Sequence, residues 1–453
     1  MSRSLLACGL ASLLVFSGRA SAQDDPPPER AAKAINSELE AQREAAAAKG
    51  LVSDAAANDS TPNPASALLV LPERLLEAMF LPVGALLVVS ERHQIPKRVG
   101  DFLQNDAETI VVSPKLKFST GQGLGLGAAL KLQSRLASEA QLRFSGLIEL
   151  DGDFEFGVRT ERRVARLDGR RISLSVDYEK ERGNDYFGIG DDTLLEDRRE
   201  LGIDDIRALL TTEINSRASE TFYGTGHIGF LRQRLYPGQG SAMPLEEMGM
   251  VAVPQSFGLT RNYAAAGLET RYDTRDTEGR TSTGVLLAAS GKFTLDVGDV
   301  NVNAVTATAS GALFLPIAGR SRTLVLSMGI GVAESVTGDP EEIPLDALVV
   351  LGRNNHLSGY RKSRFRATRT VWGHGEYRYP IWYLSSHPIV LTSRLFVDIG
   401  REGDNFDDLI ETPVRSSFGT GFVVELYHST VTGAQIAFSP EGFEVIFSAG
   451  TPL

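Results

Sequence analysis

Residues 123–133, Gly-Leu-Gly-Leu-Gly-Ala-Ala-Leu-Lys-Leu-Gln, decide the fold of this chain. An apolar residue occupies every second position, and the residues between them are small or polar. Successive side chains of an extended chain point to opposite faces, so a period of two indicates a β-strand with one apolar and one polar face. The stretch therefore predicts a strand that separates an apolar environment from a polar one.

The same alternation recurs from residue 108 to the end of the chain, for example at residues 141–150 and 172–179. Many of these segments reach ten or more residues, whereas strands of globular proteins are typically about five or six residues long. Their polar faces carry charges of both signs, which is typical of a barrel lumen. We count sixteen segments, at residues 108–118, 122–133, 137–150, 153–166, 171–182, 206–216, 219–234, 257–272, 281–294, 300–315, 321–333, 365–382, 387–400, 414–428, 430–438 and 441–449.

The connections between these segments alternate in length. An even number of strands with short turns at one end and long loops at the other is the pattern of bacterial barrels whose termini both lie in the periplasm. We therefore expect the long connections to be extracellular or to fold into the lumen. The long ones are residues 183–205, 236–256 and 334–364.

The first 22 residues have the pattern of a secretory signal peptide. Arg3 precedes an apolar stretch from Leu5 to Phe16, and Ala20-Ser21-Ala22 forms a small-residue cleavage site. Leu5-Leu6-Ala7-Cys8 also matches a lipoprotein cleavage box, which would make Cys8 a lipidated terminus. We favour the cleaved signal peptide, because the apolar stretch continues beyond Cys8.

Removal of the signal peptide takes away Arg3, Arg19 and Cys8, the one cysteine. The mature chain then has 44 basic and 57 acidic residues, a net charge of −13. A chain without thiols has no disulfide framework, thiolate metal site or catalytic cysteine. The acidic balance argues against nucleic acid as a partner.

No stretch of the mature sequence is long and apolar enough for a transmembrane helix. The most apolar stretch, residues 67–90, is interrupted by prolines and charged residues. An exported chain without such a helix is either soluble or a closed barrel, since only a closed barrel satisfies its backbone hydrogen bonds in lipid. We therefore predict an all-β transmembrane antiparallel β-barrel of about sixteen strands, residues 108–453, in the outer membrane of a Gram-negative bacterium.

Two helical segments are expected before the barrel, as a short periplasmic extension. Residues 23–66 form an Ala/Pro-rich tail in which residues 29–50 favour a helix, although an unstructured spacer fits the composition too. Residues 67–107 form helical pieces broken at Pro82, which we expect to cap or plug the barrel. Whether residues 29–50 enter the lumen is open.

Four motifs follow one another through the predicted barrel. The first is a turn after the fifth strand, with Tyr186, Gly188, Gly190 and Asp192, and the second is a hairpin with Asp273, Arg275 and Asp276. The fourth comprises Glu376-Tyr377-Arg378-Tyr379-Pro380 and Phe396-Val397-Asp398-Ile399-Gly400. The third lies between strands eleven and twelve and contains Leu357, Ser358, Gly359, Tyr360, Arg361, Arg364 and Phe365.

In this order and spacing the motifs resemble those of the bacterial surface antigen superfamily, the BamA/TamA-type barrels. The resemblance implies a sixteen-stranded barrel that inserts or translocates proteins at the outer membrane. It also implies that the third motif is a loop folded into the lumen. There, an arginine before Gly-Tyr would pair with acids on strands twelve and thirteen.

The lumen motif departs from the family pattern at its arginine, where this chain has Ser358. The expected acids, Glu376 and Asp398, are present. One reading is that Arg361 or Arg364 replaces the missing arginine, since a guanidinium can bridge carboxylates.

The other reading is that the acids are neutralised within the sheet. Glu376 would then pair with Arg378 and Asp398 with Arg394, leaving the loop loosely tethered. The sequence favours neither reading over the other.

A second departure concerns the periplasmic region. Family members of the assembly type carry POTRA domains, as the resemblance implies, but residues 23–105 contain no strand pair and leave no room for one. We therefore expect a variant that lacks POTRA domains and does not recruit clients in that way.

No catalytic, cofactor or metal motif is found. A Gly-x-Ser-x-Gly elbow and a Walker loop are both missing, and the six histidines are scattered. His374 and Glu376 share one strand face, which favours a polar network in the lumen over a pair of metal ligands. We expect neither enzymatic activity nor a cofactor.

The leading functional hypothesis is assembly or translocation of proteins, or of lipids, through a weak seam between the first and last strands. Pro114 in the first strand cannot donate a ladder hydrogen bond and suits a seam. A passive channel or solute transporter, or a surface adhesin with the long loops as binding surfaces, are the alternatives. The partners expected are outer-membrane lipids and unfolded outer-membrane proteins or accessory lipoproteins, on a monomeric barrel.

Overall fold

The computed structural model describes most of the chain from residue 109 onward. The signal peptide and the helical segments predicted for residues 1–107 lie outside the described residues. Those residues are 109–119, 123–133, 140–164, 170–190, 193–215, 221–238, 243–244, 257–276, 281–298, 302–317, 322–337, 343–353, 356–384, 389–426 and 429–449.

Sixteen long strands form one antiparallel sheet, each paired with its neighbours in the chain. A short strand, Met243–Pro244, adds to it by parallel pairing with the sixth strand. The strands are β1 (Ile110–Ser119), β2 (Gly123–Gln133), β3 (Gln141–Glu149), β4 (Phe154–Val164), β5 (Arg170–Tyr186), β6 (Arg199–Asn215), β7 (Phe222–Pro237), β8 (Thr260–Asp273), β9 (Gly284–Asp296), β10 (Asn303–Ile317), β11 (Arg322–Thr337), β12 (Arg369–Leu384), β13 (Ile389–Gly403), β14 (Arg415–Leu426), β15 (Ser429–Ser439) and β16 (Gly442–Ala449).

The sheet closes where β1 meets β16. Strand β1 pairs with β2 along its whole length, from Ile110 opposite Leu132 to Ser119 opposite Gly123. With β16 it shares a single described pair, Ser119 opposite Ile446. The barrel is therefore closed by a much shorter ladder at this seam than elsewhere.

The two faces of the sheet differ as the period of two predicts. The outer face carries exposed apolar side chains on nearly every strand, such as Phe156, Ile228, Met328 and Phe418. The inner face carries charged and small residues. An apolar band outside and a polar lumen inside are the arrangement of a barrel in lipid.

In the connections that the structure describes, two short helical turns are present. A 3-10 turn, Leu195–Asp197, precedes β6, and the α-helix α1 (Asp408–Glu411) precedes β14. Within the described ranges, we find no helix that is both long and apolar enough to cross a membrane.

The sixteen-stranded antiparallel fold predicted from the sequence is confirmed, but the predicted end of the fifth strand and the predicted starts of the sixth and twelfth strands are wrong. Strands β5 and β6 extend to Tyr186 and start at Arg199, so the connection predicted at residues 183–205 is shorter. A register shift between Glu181 and Asn184 interrupts the alternation, which hid the end of β5.

The strand predicted at residues 365–382 is in fact two elements. Phe365–Ala367 pairs with Val349–Leu351 in a separate two-stranded sheet, and β12 begins at Arg369. Phe365 and Ala367 fall in the same alternating phase as Val371 and Gly373 of β12, so periodicity could not separate a loop strand from the barrel wall.

An arginine placed on the outer face should destabilise the barrel. Met328 is 70% exposed in the middle of β11, on the face that meets lipid. We expect Met328→Arg to lower the free energy of unfolding in lipid vesicles by about 2–4 kcal/mol, because the charge is removed from water. Denaturant unfolding followed by tryptophan fluorescence measures this change.

Thr308→Arg is the matched control, because Thr308 lies on the inner face of the neighbouring strand β10, opposite Gly331. We expect it to unfold within about 1 kcal/mol of the parent protein, because a lumen-facing charge keeps its water. Equal destabilisation by the two arginines would contradict the assignment of the faces.

Candidate functional site: the loop inside the barrel

The connection between β11 and β12 is the longest described excursion from the barrel wall. Its described parts are residues 343–353 and 356–368, most of which are buried. Its first part packs against the inner face of the barrel, its middle forms the two-stranded sheet, and its tip lies at residues 356–364. We call residues 343–368 the lumen loop.

The first part of the lumen loop is held by apolar contacts and two polar ones. Four of its residues, Ile343, Leu345, Ala347 and Leu348, form one buried cluster with wall residues of β5, β6, β7 and β10. The wall residues are Tyr186, Leu201, Leu235 and Ala304.

Polar contacts on β9 and β10 add to this apolar attachment. Lys292 Nζ lies 3.2 Å from a carboxylate oxygen of Asp346. The Thr306 hydroxyl donates to the carbonyl of Ala347 at 2.6 Å. The first part of the loop is thus fixed on the wall opposite the seam.

A second apolar cluster holds the tip. It comprises Leu351, Leu357, Tyr360, Phe365 and Trp372, all buried. The His356 ring stacks on that of Trp372, with centroids 3.5 Å apart and planes 5° from parallel.

Glycine is required at two positions of the loop. Gly352 has a φ of 154°, and a Cβ there would lie 2.5 Å from the carbonyl oxygen of Arg361. Gly359 lies against the wall, where a Cβ would be 2.7 Å from the backbone of Phe438. The Ser439 hydroxyl donates to the Gly359 carbonyl at 2.7 Å, so the loop touches β15 directly.

At the position where the family has an arginine, this chain contacts the acid Asp398 through its backbone. The backbone N–H of Ser358 donates to Asp398 Oδ2 at 2.8 Å. The Ser417 hydroxyl donates to the same oxygen at 2.9 Å, and His374 Nδ1 lies against Asp398 Oδ1. The acid on β13 therefore holds the loop through its main chain.

Glu376 sits at the centre of the charges below this contact. It is 1% exposed and accepts from Arg378, from Arg394 at 2.9 Å and from His374 Nε2 at 3.0 Å. Both ring nitrogens of His374 thus face carboxylate oxygens, which can only accept hydrogen bonds. His374 therefore connects Glu376 to Asp398, the acid that holds the loop.

Arg364 links the loop to the turn before the last strand. Its side chain is 2% exposed, and Nε lies 2.9 and 3.0 Å from the two carboxylate oxygens of Glu441. Its other nitrogens donate to the hydroxyl and the carbonyl of Thr193, both at 2.9 Å. The guanidinium also lies over the rings of Phe187 and Phe365, at 4.4 and 4.6 Å.

A second buried arginine reaches the last strand itself. Arg353 Nη1 lies 2.8 Å from Glu444 Oε2 on β16, and its side chain is almost fully buried. Together Arg353, Arg364 and Gly359 attach the loop to β15, β16 and the turn between them.

The remaining basic residues of the tip point to the opposite wall. Arg361 pairs with Asp185 at 3.0 Å, and Lys362 pairs with Glu181 at 2.8 Å. Both acids lie on β5. The lumen loop therefore bridges the lumen between β5 and the strands β13 to β16.

The structure places the predicted lumen residues together but with other partners. Neither Arg361 nor Arg364 is bonded to Glu376 or Asp398. Arg378 pairs with Glu376, as one reading had it, but Arg394 pairs with Glu376 as well and not with Asp398.

Sequence reasoning missed Arg353, Glu441 and Glu444. Glu444 alternates with apolar residues on the last strand, which predicted only that it faces the lumen. Its arginine partner lies 91 positions away in the chain, and no local pattern connects the two.

The predicted turn motifs support the loop and close a hairpin. Gly188 and Gly190 both have positive φ, and the Gly190 N–H donates to the Arg366 carbonyl at 2.8 Å. In the β8–β9 turn, Asp273 pairs with Arg275 at 2.7 Å and Asp276 accepts from the backbone of Ser282. Asp192 lies outside the described residues.

One group among the described residues could hold a cation. The carboxylates of Glu149, Asp151 and Asp153 lie within 4.8 Å of one another at the β3–β4 turn. Asp153 already accepts the Arg182 N–H at 2.6 Å, and burial raises its pKa to about 6. These acids lie apart from the lumen loop contacts described above.

Comparison with known proteins now identifies the family. A family model described as "Omp85 superfamily domain" matches residues 167–429. The chain belongs to the Omp85 superfamily. This match confirms the resemblance to BamA-type barrels that the four motifs indicated. Barrels of this class lie in the outer membrane of Gram-negative bacteria.

Two solved structures share the fold at low sequence identity. BamA from Haemophilus ducreyi lacking POTRA domains 1–3 aligns with a TM-score of 0.54 and 15% identity, over 76% of this chain and 70% of that one. CdiB from Escherichia coli aligns with a TM-score of 0.51 and 10% identity, over 75% of this chain and 62% of that one. No curated protein matches the sequence.

Removal of the Arg364 guanidinium should detach the loop tip. Arg364→Gln leaves Glu441 without its buried partner, so we expect the free energy of loop opening to fall by about 2–4 kcal/mol. Amide hydrogen exchange of residues 357–366 measures that free energy.

Arg361→Gln is the control, because Arg361 is 35% exposed and its pair with Asp185 is partly solvated. Its loss should change the opening free energy by about 0–1 kcal/mol. If the two variants opened the loop equally, the role assigned to Arg364 in holding the loop tip would be wrong.

The loop should loosen as the pH falls. Burial lowers the pKa of His356 to about 4, against the opposing effect of Asp398. An opened loop restores the ordinary value of about 6.5. The opened state then binds the proton more tightly, so between pH 6.5 and 4 opening becomes easier by about 2–3 kcal/mol.

His356→Asn removes this contribution, and asparagine tolerates the φ of 69° at this position. We expect hydrogen exchange of the loop tip to depend on pH less steeply in the variant than in the parent protein. The same pH dependence in both would show that other groups govern the effect.

Proposed function

We propose that this Omp85-superfamily barrel assists the insertion or translocation of proteins, or of lipids, at the outer membrane, and that it does so without covalent chemistry. The observation that carries the proposal is the contrast between a firmly anchored lumen loop and a sparsely paired seam. The proposal includes export through a signal peptide cleaved after Ala22.

The filled lumen supports assembly over passive conduction. The lumen loop is buried along most of its described length and is bonded to β5, β9, β10, β13 and the last two strands. A diffusion channel needs an open aqueous path, whereas this loop crosses the lumen from β5 to β16.

The seam supports a barrel that opens laterally. A net hydrogen bond contributes about 0.5–1.5 kcal/mol, so a seam with one described residue pair costs little to part. Pro114 in β1 has no N–H to add to the ladder. Separation of β1 from β16 would expose two strand edges, which pair readily with an incoming strand.

The partners we propose follow from such an edge. An unfolded outer-membrane protein supplies unpaired strands that can add to β1 or β16. Outer-membrane lipids surround the apolar band, and accessory lipoproteins could bind at the periplasmic end. We propose a monomeric barrel, because the open edge must be reachable from the membrane.

A disulfide across the seam tests the proposal. The mature chain contains no cysteine, so Ser119→Cys/Ile446→Cys introduces one pair at positions that face each other across the seam. In a host strain depleted of the protein, we expect the oxidised variant to fail to restore the outer-membrane protein profile. A reductant should bring the activity back.

Ser113→Cys/Ala129→Cys is the control, since these positions face each other between β1 and β2, where the ladder is continuous. It should complement with or without reductant. Full complementation by the oxidised seam variant would overturn the proposal. A large, steady conductance in planar bilayers would favour a passive channel, and an assembly barrel predicts a small, flickering one.

A further inference from the structure

A group of cations lies on the outer face of the barrel, where lipid is expected. Lys180, Asp204 and Arg234 face one another across β5, β6 and β7. Arg232 lies two positions before Arg234 and so shares its face, and both arginines are exposed. We call Lys180, Arg232 and Arg234 the outer cationic patch.

The patch adjoins the apolar band. Residues that pair across β5, β6 and β7 form rows on the outer face. Below the row of Lys180, Asp204 and Arg234 lies the row of Tyr178, Ile206 and Arg232. The two rows below that are apolar: Val176, Ala208 and Phe230, and then Leu174, Leu210 and Ile228. An arginine costs about 2–4 kcal/mol in the middle of the bilayer and about 0–1 kcal/mol at its surface. The patch therefore lies at the level of the lipid headgroups.

Aromatic residues mark the same level. The rings of Phe154 and Tyr178 pack at 5.0 Å, and the Tyr236 hydroxyl donates to the Glu181 carbonyl at 3.1 Å. Tyrosine is enriched where membrane meets water. Lys180 lies directly beside Phe154 in the sheet.

The arginines of the patch have no protein partner among the described residues. Asp204 is the one acid in these rows, and it also accepts a hydrogen bond from Tyr178. Other arginines of this rim are engaged, because Arg369 pairs with Glu334 and Arg401 donates to carbonyls of α1. Glu149, Asp151 and Asp153 of the β3–β4 turn lie on the Lys180 side of the patch, so the excess of positive charge that faces outward is at Arg232 and Arg234.

The patch lies at the end of the barrel from which the long loops arise, since β5 and β7 both run toward those loops. With periplasmic termini, as expected for a barrel with an even number of strands, this end faces the cell exterior. The lipids at this level are those of the outer leaflet.

We propose that the outer cationic patch binds the phosphate groups of anionic lipids in the outer leaflet. A guanidinium presents two parallel N–H donors that match a phosphate. The apolar rows below it offer a surface for the acyl chains of the same molecule, which a free phosphate could not use. A lipid headgroup thus satisfies both the charged rows and the apolar rows.

The test uses the full chain in neutral detergent and diphosphorylated lipid A as the probe, with binding measured by native mass spectrometry. Each surface cation contributes about 1 kcal/mol to binding of anionic lipid. We therefore expect Arg232→Gln/Arg234→Gln to weaken binding about 10–30-fold. Arg232→Lys/Arg234→Lys should bind with an affinity between the parent protein and the glutamine variant, because lysine keeps the charge but loses the paired N–H donors.

Arg162→Gln is the matched control, because Arg162 is an exposed arginine toward the other end of β4, opposite Ile172. Arg162→Gln should bind lipid A as tightly as the parent protein does. Lipid A without its phosphates should bind the parent protein about as weakly as intact lipid A binds the double glutamine variant. Heat modifiability on gels checks that each variant is folded.

Three outcomes overturn the proposal. They are unchanged binding by the double glutamine variant, equal loss in Arg162→Gln, and displacement of lipid A by millimolar inorganic phosphate, which would indicate a site for the free ion. If the glutamine variant does not fold, the salt dependence of lipid A binding to the parent protein is measured instead. A rise from 0.05 to 0.5 M NaCl shortens the Debye length roughly threefold. Binding that does not change over this range excludes a charge-driven site.

Discussion

A backbone N–H or C=O group that faces hydrocarbon has no water to bond with, and this constraint shapes the rest of the molecule. It requires the sheet to close on itself, with each strand paired on both sides. Closure in turn fixes the period of two, because each strand then has one face toward lipid and one toward the lumen. Strands β1 and β16 meet the constraint least well, with one described pair between them.

Closure also creates a polar lumen that must be filled or hydrated, and the lumen loop fills much of it. Its first part packs on Tyr186 and Leu235, whereas its tip is held by a second apolar cluster and by buried ion pairs. Buried ion pairs are costly to form and more costly to break, because a lone charge then remains in a poorly solvated place. Arg353 and Arg364 therefore act as latches with two states, bonded or open, more than as sources of net stability.

The latches lie on the side of the barrel where the seam is. Gly359, Arg364 and Arg353 contact β15, the following turn and β16 in succession. The last hairpin is thus held from inside the barrel, independently of its outer edge. If the seam parts, these contacts keep β16 attached to the loop.

The parts of this structure that depend on local periodicity could be predicted from the sequence, and the parts that depend on closure could not. Sixteen strands followed from alternation, and the loop motif pointed to position 358, whose N–H lies on Asp398. The partner of Asp398 is a main-chain N–H, which any residue would provide, so the side chain at position 358 did not reveal it. The pairs Arg353–Glu444 and Arg364–Glu441 join distant parts of the chain only after the barrel has closed.

Charge obeys different rules on the two faces of the same strands. Inside, Glu181 and Asp185 of β5 are matched by Lys362 and Arg361 of the loop, since a poorly hydrated carboxylate needs a partner. Outside, Arg234 of β7 lies opposite Asp204, but Arg232 lies opposite Ile206 and has no acid across from it, and both arginines occur only past the last apolar row. An unmatched cation is tolerated there because the medium itself supplies the counter-charge, as water, ions or lipid phosphate. The protein therefore completes its charge balance within the chain on the inner face and with its surroundings on the outer one.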